Sequence, residues 1–144
     1  MSKKKRIRKT EITKGRLPGI QAVAVKPQGL SFSFKYFQQQ NKRFSVCDRD
    51  IAYWLTLLAR FKGLSGMTVQ ELLRSRSKAI RCHPITWQDT SQRCFGLPNE
   101  EQLVDTPYQF SLSANAHGRV HGFFINDVFY VVWLDPEHRL YEGK

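Results

Sequence analysis

Near the C-terminus two apolar runs, Val120 to Ile125 and Val128 to Leu134, flank the dipeptide Asn126-Asp127. This arrangement constrains the fold more than any other feature, because Asn and Asp tolerate the positive φ angles of a two-residue β-hairpin turn. The turn also sets a register. If Ile125 pairs with Val128, Phe123 faces Tyr130, His121 faces Val132 and Arg119 faces Leu134, all on one side of the pleat. The opposite side would carry Val120, Gly122, Phe124, Phe129, Val131 and Trp133, an apolar surface that needs helices to cover it. One face is expected to build core and the other to present an arginine and a histidine to solvent.

Upstream, Tyr108, Phe110 and Leu112 alternate with Gln109, Ser111 and Ser113, so a further strand precedes the hairpin, with a turn at Asn115 to Gly118 that takes in His117. The same alternation at Leu30, Phe32, Phe34 and Tyr36 predicts a strand over 30–37, and Phe44 to Cys47 is expected to continue the sheet. Between these, Ile51, Trp54, Leu55, Leu58 and Phe61 recur at helical spacing, with Asp48 as candidate cap and Gly63 at the end of the pattern. Thr68 and Glu71 form a capping box for a second helix, which leads into Arg74, Arg76, Lys78 and Arg81. Residues 79–107, with Pro84, Pro98 and Pro107, look irregular apart from a short helical turn at Asn99 to Val104. Such a long irregular stretch is unusual in a compact domain, so it is expected either to be functional or to hold structure that its sequence pattern does not show.

The expectation is therefore an α+β fold of strand, helical hairpin and three-stranded antiparallel meander, built as one domain over residues 20–144. Residues 1–19 form a separate basic arm closed by Leu17-Pro18-Gly19. Of the net charge of +11, residues 1–16 supply +7, with Lys3, Lys4, Lys5 and Arg6 at the front and Glu11 as the single acid. So basic and apolar-poor a segment is expected to be disordered until it meets a polyanion, which makes nucleic acid the leading partner. The arm lacks the apolar face of an interfacial helix, no run approaches the roughly 20 apolar residues of a membrane span, and no signal-peptide apolar region follows the lysines. A cytoplasmic protein is expected.

Three cysteines, Cys47, Cys82 and Cys94, lack CxxC spacing and read as reduced thiols, with a site of Cys82, His83 and Cys94 as the metal-binding alternative. Gly-rich phosphate loops, paired-carboxylate motifs and nucleophile elbows are absent from the sequence. No metal or cofactor is expected.

The order of elements, with Arg119 and His121 on the penultimate strand and His138, Arg139 and Tyr141 in the tail His-Arg-Leu-Tyr, resembles the RelE-type mRNA interferase toxins, small basic ribonucleases encoded beside an antitoxin. The segment His83-Pro84-Ile85-Thr86-Trp87 is similar to a histidine-containing segment of the YafQ-like branch. The chain departs from that pattern in its basic arm, its long 79–107 stretch and the Asp135-Pro136-Glu137 turn. The resemblance implies metal-independent endoribonuclease action on mRNA, possible dependence on the ribosome, and an acidic antitoxin as protein partner. It implies His121, His138, Arg119 and His83 as catalytic residues and Arg139 and Tyr141 as RNA contacts, while the charge of the chain itself adds Arg81 and the arm residues Lys3, Lys4, Lys5 and Arg6 as expected RNA contacts. Histidine suits proton transfer near neutral pH, and arginine is a permanently charged fork for phosphate. Asp135 or Glu137 would act as base or orient His138, and Tyr141 would stack on a base or cover the core edge. Two other functions fit the same residues. One is a non-catalytic nucleic-acid-binding accessory of a phage or defence system; the other is a protein-interaction module docking through Phe123 and Tyr130.

Overall fold

The computed structural model describes residues 29–142. The basic arm, with Lys3, Lys4, Lys5 and Arg6, and its boundary at residue 19 lie outside the described residues. The elements run β1 (Ser31–Ser33), α1 (Ile51–Leu64), α2 (Val69–Arg74), β2 (His83–Pro84), a 3-10 turn (Trp87–Asp89), α3 (Glu100–Leu103), β3 (Pro107–Ser111), β4 (Arg119–Ile125) and β5 (Val128–Asp135). The fold is α+β. One mixed five-stranded sheet has the order β1-β5-β4-β3-β2, in which β1 runs parallel to β5 and every other pair is antiparallel.

Local chemistry accounts for the element ends. Asn126 takes the expected positive φ of 54° between β4 and β5. Thr68 accepts from the Glu71 amide while Glu71 accepts from the Thr68 amide, so the capping box closes as read. The cap of α1 is Asp50, which accepts from Tyr53 N at 3.1 Å, and not Asp48, which pairs with Arg49. The first strand covers only 31–33, because the chain turns at Phe34 to Phe37 and Gln38 N then bonds the Val132 carbonyl. Phe44 to Cys47 does not extend the sheet; Phe44 packs instead on Trp133, with ring centroids 4.3 Å apart.

The face that α1 buries also differs from the expected stripe. Tyr53, Leu57, Phe61 and Leu64 point into the core, whereas Ile51, Leu55 and Leu58 are 73%, 59% and 60% exposed. Both stripes are apolar at helical spacing, and the docking of the helix on the sheet selects between them.

Along the hairpin the register holds near the turn, where Ile125 pairs with Val128 and Phe123 with Tyr130, and then slips. His121 pairs with Trp133 and Arg119 with Asp135, because a β-bulge at Val132 inserts one residue on β5. Two contacts hold the bulge. Gly122 lets the backbones approach so closely that a Cβ there would run into the Tyr130 carbonyl and the Phe129 ring, and Gln38 N captures the Val132 oxygen at 3.0 Å.

The bulge moves Trp133 to the side expected for His121. Val120, Phe129, Val131 and Leu134 pack under α1 and α2 with Phe110 and Leu112. Phe123, Val132 and Trp133 pack on the other side with Phe44, Ile85, Phe95 and Leu140. Residues 79–107 thus form a second covering layer, and both faces of the sheet are core. The expectation of one open face is overturned over most of the hairpin. The reading of Phe123 and Tyr130 as a docking surface falls with it, since Phe123 is fully buried, stacked on Tyr130 and lined by Tyr36 and Phe95.

Candidate functional site

Along β3 and β4 the period-two alternation sets Gln109, Ser111, Arg119 and His121 on one side of the sheet, with Gln109 opposite His121 and Ser111 opposite Arg119. Gln109, Ser111 and His121 are buried, whereas Arg119, at the strand end, is only half covered.

His121 is 0% exposed, so its ring is not presented to an outside molecule. Its Nε2 stands 3.0 Å from Asp135 Oδ2. The same carboxylate accepts Arg139 N at 2.8 Å and Leu140 N at 3.0 Å. Burial by itself would raise the Asp135 carboxyl, but the bond from His121 and the two backbone N–H groups outweigh it and hold the group below its ordinary value. Burial lowers the His121 imidazole, and the neighbouring carboxylate only partly restores it. Asp135 is therefore a carboxylate and His121 a neutral imidazole whose Nε2–H donates to it. The pair ties β4 to the turn that carries His138.

His138 is exposed and has a φ of 59°, a left-handed conformation uncommon for a non-glycine residue. Partial burial lowers its pKa first, and the cations Arg119 and Arg81 lower it further, while Asp135 opposes them. The ring thus lies within electrostatic reach of Arg119, Arg81, His121 and Asp135, and it is biased towards the neutral form at pH 7. Arg119 is shifted down by its own burial and by Arg81, yet remains a cation. Arg81 also has a positive φ, 48°, and its Nε–H donates to the Lys78 carbonyl at 2.8 Å.

No family model, curated protein or solved structure matches this chain. The chemistry of the site must be read from its own geometry.

His83, on edge strand β2, is exposed but engaged at both nitrogens. Nδ1–H donates to the Pro84 carbonyl at 2.9 Å, which leaves Nε2 to accept the Gln109 amide at 3.0 Å. His83 contributes to the field at His121, so it belongs to the same cluster. The structure brings together Arg81, His83, Arg119, His121 and His138, contributed by the loop after α2, by β2, by β4 and by the tail.

Other expected contacts lie elsewhere. Arg139 turns away to pair with Glu137 at 3.0 Å, lining a separate pocket of about 150 Å³ with Lys42, Arg43 and Arg49. Tyr141 is half-buried against the second core layer, in the position of a core-edge cover. Glu137 bridges Arg49 and Arg139 and is not turned to His138 as base or guide; the tail is held by the Asp135 carboxylate and by Arg43 and Ser91, which donate to the Arg139 carbonyl. His117 sits in the turn before β4 with a φ of 65°. Cys47, Cys82 and Cys94 are free thiols, and burial pushes Cys82 up to about 12. Among the described residues no three His, Cys, Asp or Glu side chains are grouped to hold a metal, and no helix is long and apolar enough to cross a membrane.

Sequence alternation marks Gln109 and Ser111 only as the polar half of a strand. The signal that would have found them is the register, which sets them opposite His121 and Arg119. Gln109 Oε1, Ser111 Oγ and His121 Nδ1 are buried without a hydrogen-bond partner among the described residues, a concentration of unmatched polar atoms directly behind the rim.

Proposed function

We propose that this chain is a metal-independent endoribonuclease of the toxin type that acts on mRNA, in the manner of the RelE-type interferases it resembles. The observation that carries the reading is the exposed His138 within electrostatic reach of Arg119 and Arg81, mounted on a turn that the buried Asp135–His121 pair holds. In this reading neutral His138 takes the proton of a 2′-hydroxyl. The 2′-oxygen bonds to phosphorus, the bond to the 5′-oxygen breaks, and that oxygen takes a proton from solvent, leaving a 2′,3′-cyclic phosphate and a free 5′-hydroxyl. Arg119 and Arg81 oppose the charge that builds on the phosphate.

The roles within the cluster shift accordingly. His121 acts from behind as a positioning residue, and His83 positions rather than transfers while Gln109 occupies its Nε2. Arg139 and Tyr141 are not assigned to the scissile phosphate. The basic arm, Lys3 to Arg6 included, holds the RNA backbone or is covered by an acidic antitoxin. Ribosome-bound mRNA in the cytoplasm is the substrate this reading favours.

One observation favours a second reading, a non-catalytic nucleic-acid-binding accessory: of the three clustered histidines only His138 is both exposed and without a ring hydrogen bond among the described residues. Incubating a translated mRNA with the protein in EDTA, with and without ribosomes, separates the two. Cutting that is lost in His138→Ala supports the nuclease. RNA binding without cutting under both conditions supports the accessory.

A further inference from the structure

Outside the histidine face, the most exposed apolar surface of the described residues is on α1. Ile51, Leu55 and Leu58, at i, i+4 and i+7, are 73%, 59% and 60% exposed and form one stripe opposite the buried face. Beside it a shallow groove of about 380 Å³ is lined by Leu55, Thr56, Ala59, Arg60 and Leu112. Isolated exposed aliphatics are ordinary, but a contiguous stripe of three beside a groove marks a surface that another segment covers.

We infer that the stripe is covered by this chain's own residues 20–25, Ile20-Gln21-Ala22-Val23-Ala24-Val25. Three observations select that occupant.

The first is where the described chain begins. Gly29 is wedged against the turn that ends α1, where a Cβ would collide with the Ser65 carbonyl, and Leu30 N bonds Met67 O at 2.9 Å. The described chain therefore starts beside the C-terminal end of α1, which is the tether point for a docked preceding segment. The second is reach. Leu58 lies about 10 Å and Ile51 about 20 Å back along the helix from Ser65, at 1.5 Å per residue. At about 3.3 Å per extended residue, Val25 reaches roughly 13 Å from Gly29 and Ile20 roughly 30 Å. A six-residue uncharged segment, apolar except for Gln21, thus spans the stripe. The third is charge. α1 contains Arg60 and Lys62 and no acid, and the whole chain carries +11, so a second copy would bring like charge to the helix. Residues 20–25 carry no charge, and their tether gives a high effective concentration. Docking in this way would fix where the basic arm leaves the domain.

Amide hydrogen exchange on the full chain tests this. Residues 20–25 are expected to exchange at least about tenfold more slowly than an unstructured segment. The protection should be lost in the Leu55→Asp/Leu58→Asp double variant, whose side chains are exposed, while β3 to β5 exchange as before. Val23→Asp/Val25→Asp should remove it equally. Unprotected exchange in the wild-type chain overturns the inference, as does protection that survives both double variants. Protection that vanishes on dilution, with light scattering showing a dimer, overturns it in favour of a second copy.

Discussion

His121 and Asp135 face each other from neighbouring strands at 3.0 Å, both essentially without solvent contact, and the same carboxylate caps the backbone N–H groups of Arg139 and Leu140. The pair links the sheet interior to the two residues that follow the exposed His138. Removing either partner strands a buried polar group. Asp135→Ala leaves His121 and two backbone amides unpaired, and the expected loss is about 3 kcal/mol, read as a lower urea midpoint. Asp135→Asn, which keeps the acceptor oxygen, should cost less than Asp135→Ala. A stability equal to wild type in Asp135→Ala would refute this account of the tail.

The same groups set a pH dependence. His121 and His138 have folded-state pKa values below the unfolded value near 6.5, so the unfolded chain binds protons first as pH falls. Their contribution to stability is full above about pH 6.5 and is lost on acidification below it. Asp135 is depressed too, so its contribution is present above about pH 4 and is lost as pH drops further. Urea midpoints should be flat from pH 8 to 7 and fall from pH 6.5 to 5. That fall should be shallower in His121→Asn, and an unchanged slope in this variant would exclude His121 as the group responsible.

His138→Gln is expected to lower RNA cleavage at least about 100-fold, the usual scale for a group that moves a proton. As an exposed residue it should change stability by no more than about 0.5 kcal/mol, although its φ of 59° makes the replacement best kept polar. Retained cleavage in this variant, with the fold intact, would remove His138 from the reaction.

Under the proposed function Arg81 and Arg119 act on phosphate through charge, so replacing either should weaken binding evenly across RNA sequences. The slope of log affinity against log salt should shrink by about 0.7 for each cation removed. Arg139→Ala, whose side chain is paired with Glu137 away from the cluster, should shift the slope less than either. A larger effect at Arg139 would move the RNA path to the pocket lined by Lys42, Arg43 and Arg49.

Gly122 tests the bulge. A methyl at this position meets the Tyr130 carbonyl and the Phe129 ring, so Gly122→Ala should destabilise the domain by about 2 kcal/mol in thermal or urea unfolding. Tolerance of alanine would show that the β4–β5 backbones separate more easily than their packing implies.

What the sequence determined by itself is local. Asn126-Asp127 specified the hairpin turn and the first pairs beside it, and Thr68 with Glu71 specified the start of α2, because each depends on backbone groups within a few residues. Histidines and arginines on β4 and in the tail were likewise visible as residue types. Tertiary structure decided the rest. Whether Trp133 joins Val131 or Phe123 depends on a bulge held by Gly122 and by Gln38, the latter nearly a hundred residues away from the strand it caps. Which stripe of α1 is buried depends on the sheet, since Tyr53, Leu57 and Phe61 compete with Ile51, Leu55 and Leu58 at the same spacing. Residues 79–107 carry little periodicity, yet they cover the second face of the sheet with Ile85 and Phe95. His121 is buried beside Phe44 and Trp133, while His138, on the rim, is exposed within electrostatic reach of Arg119 and Arg81. Periodicity reports which residues share a face; only packing decides which face meets water.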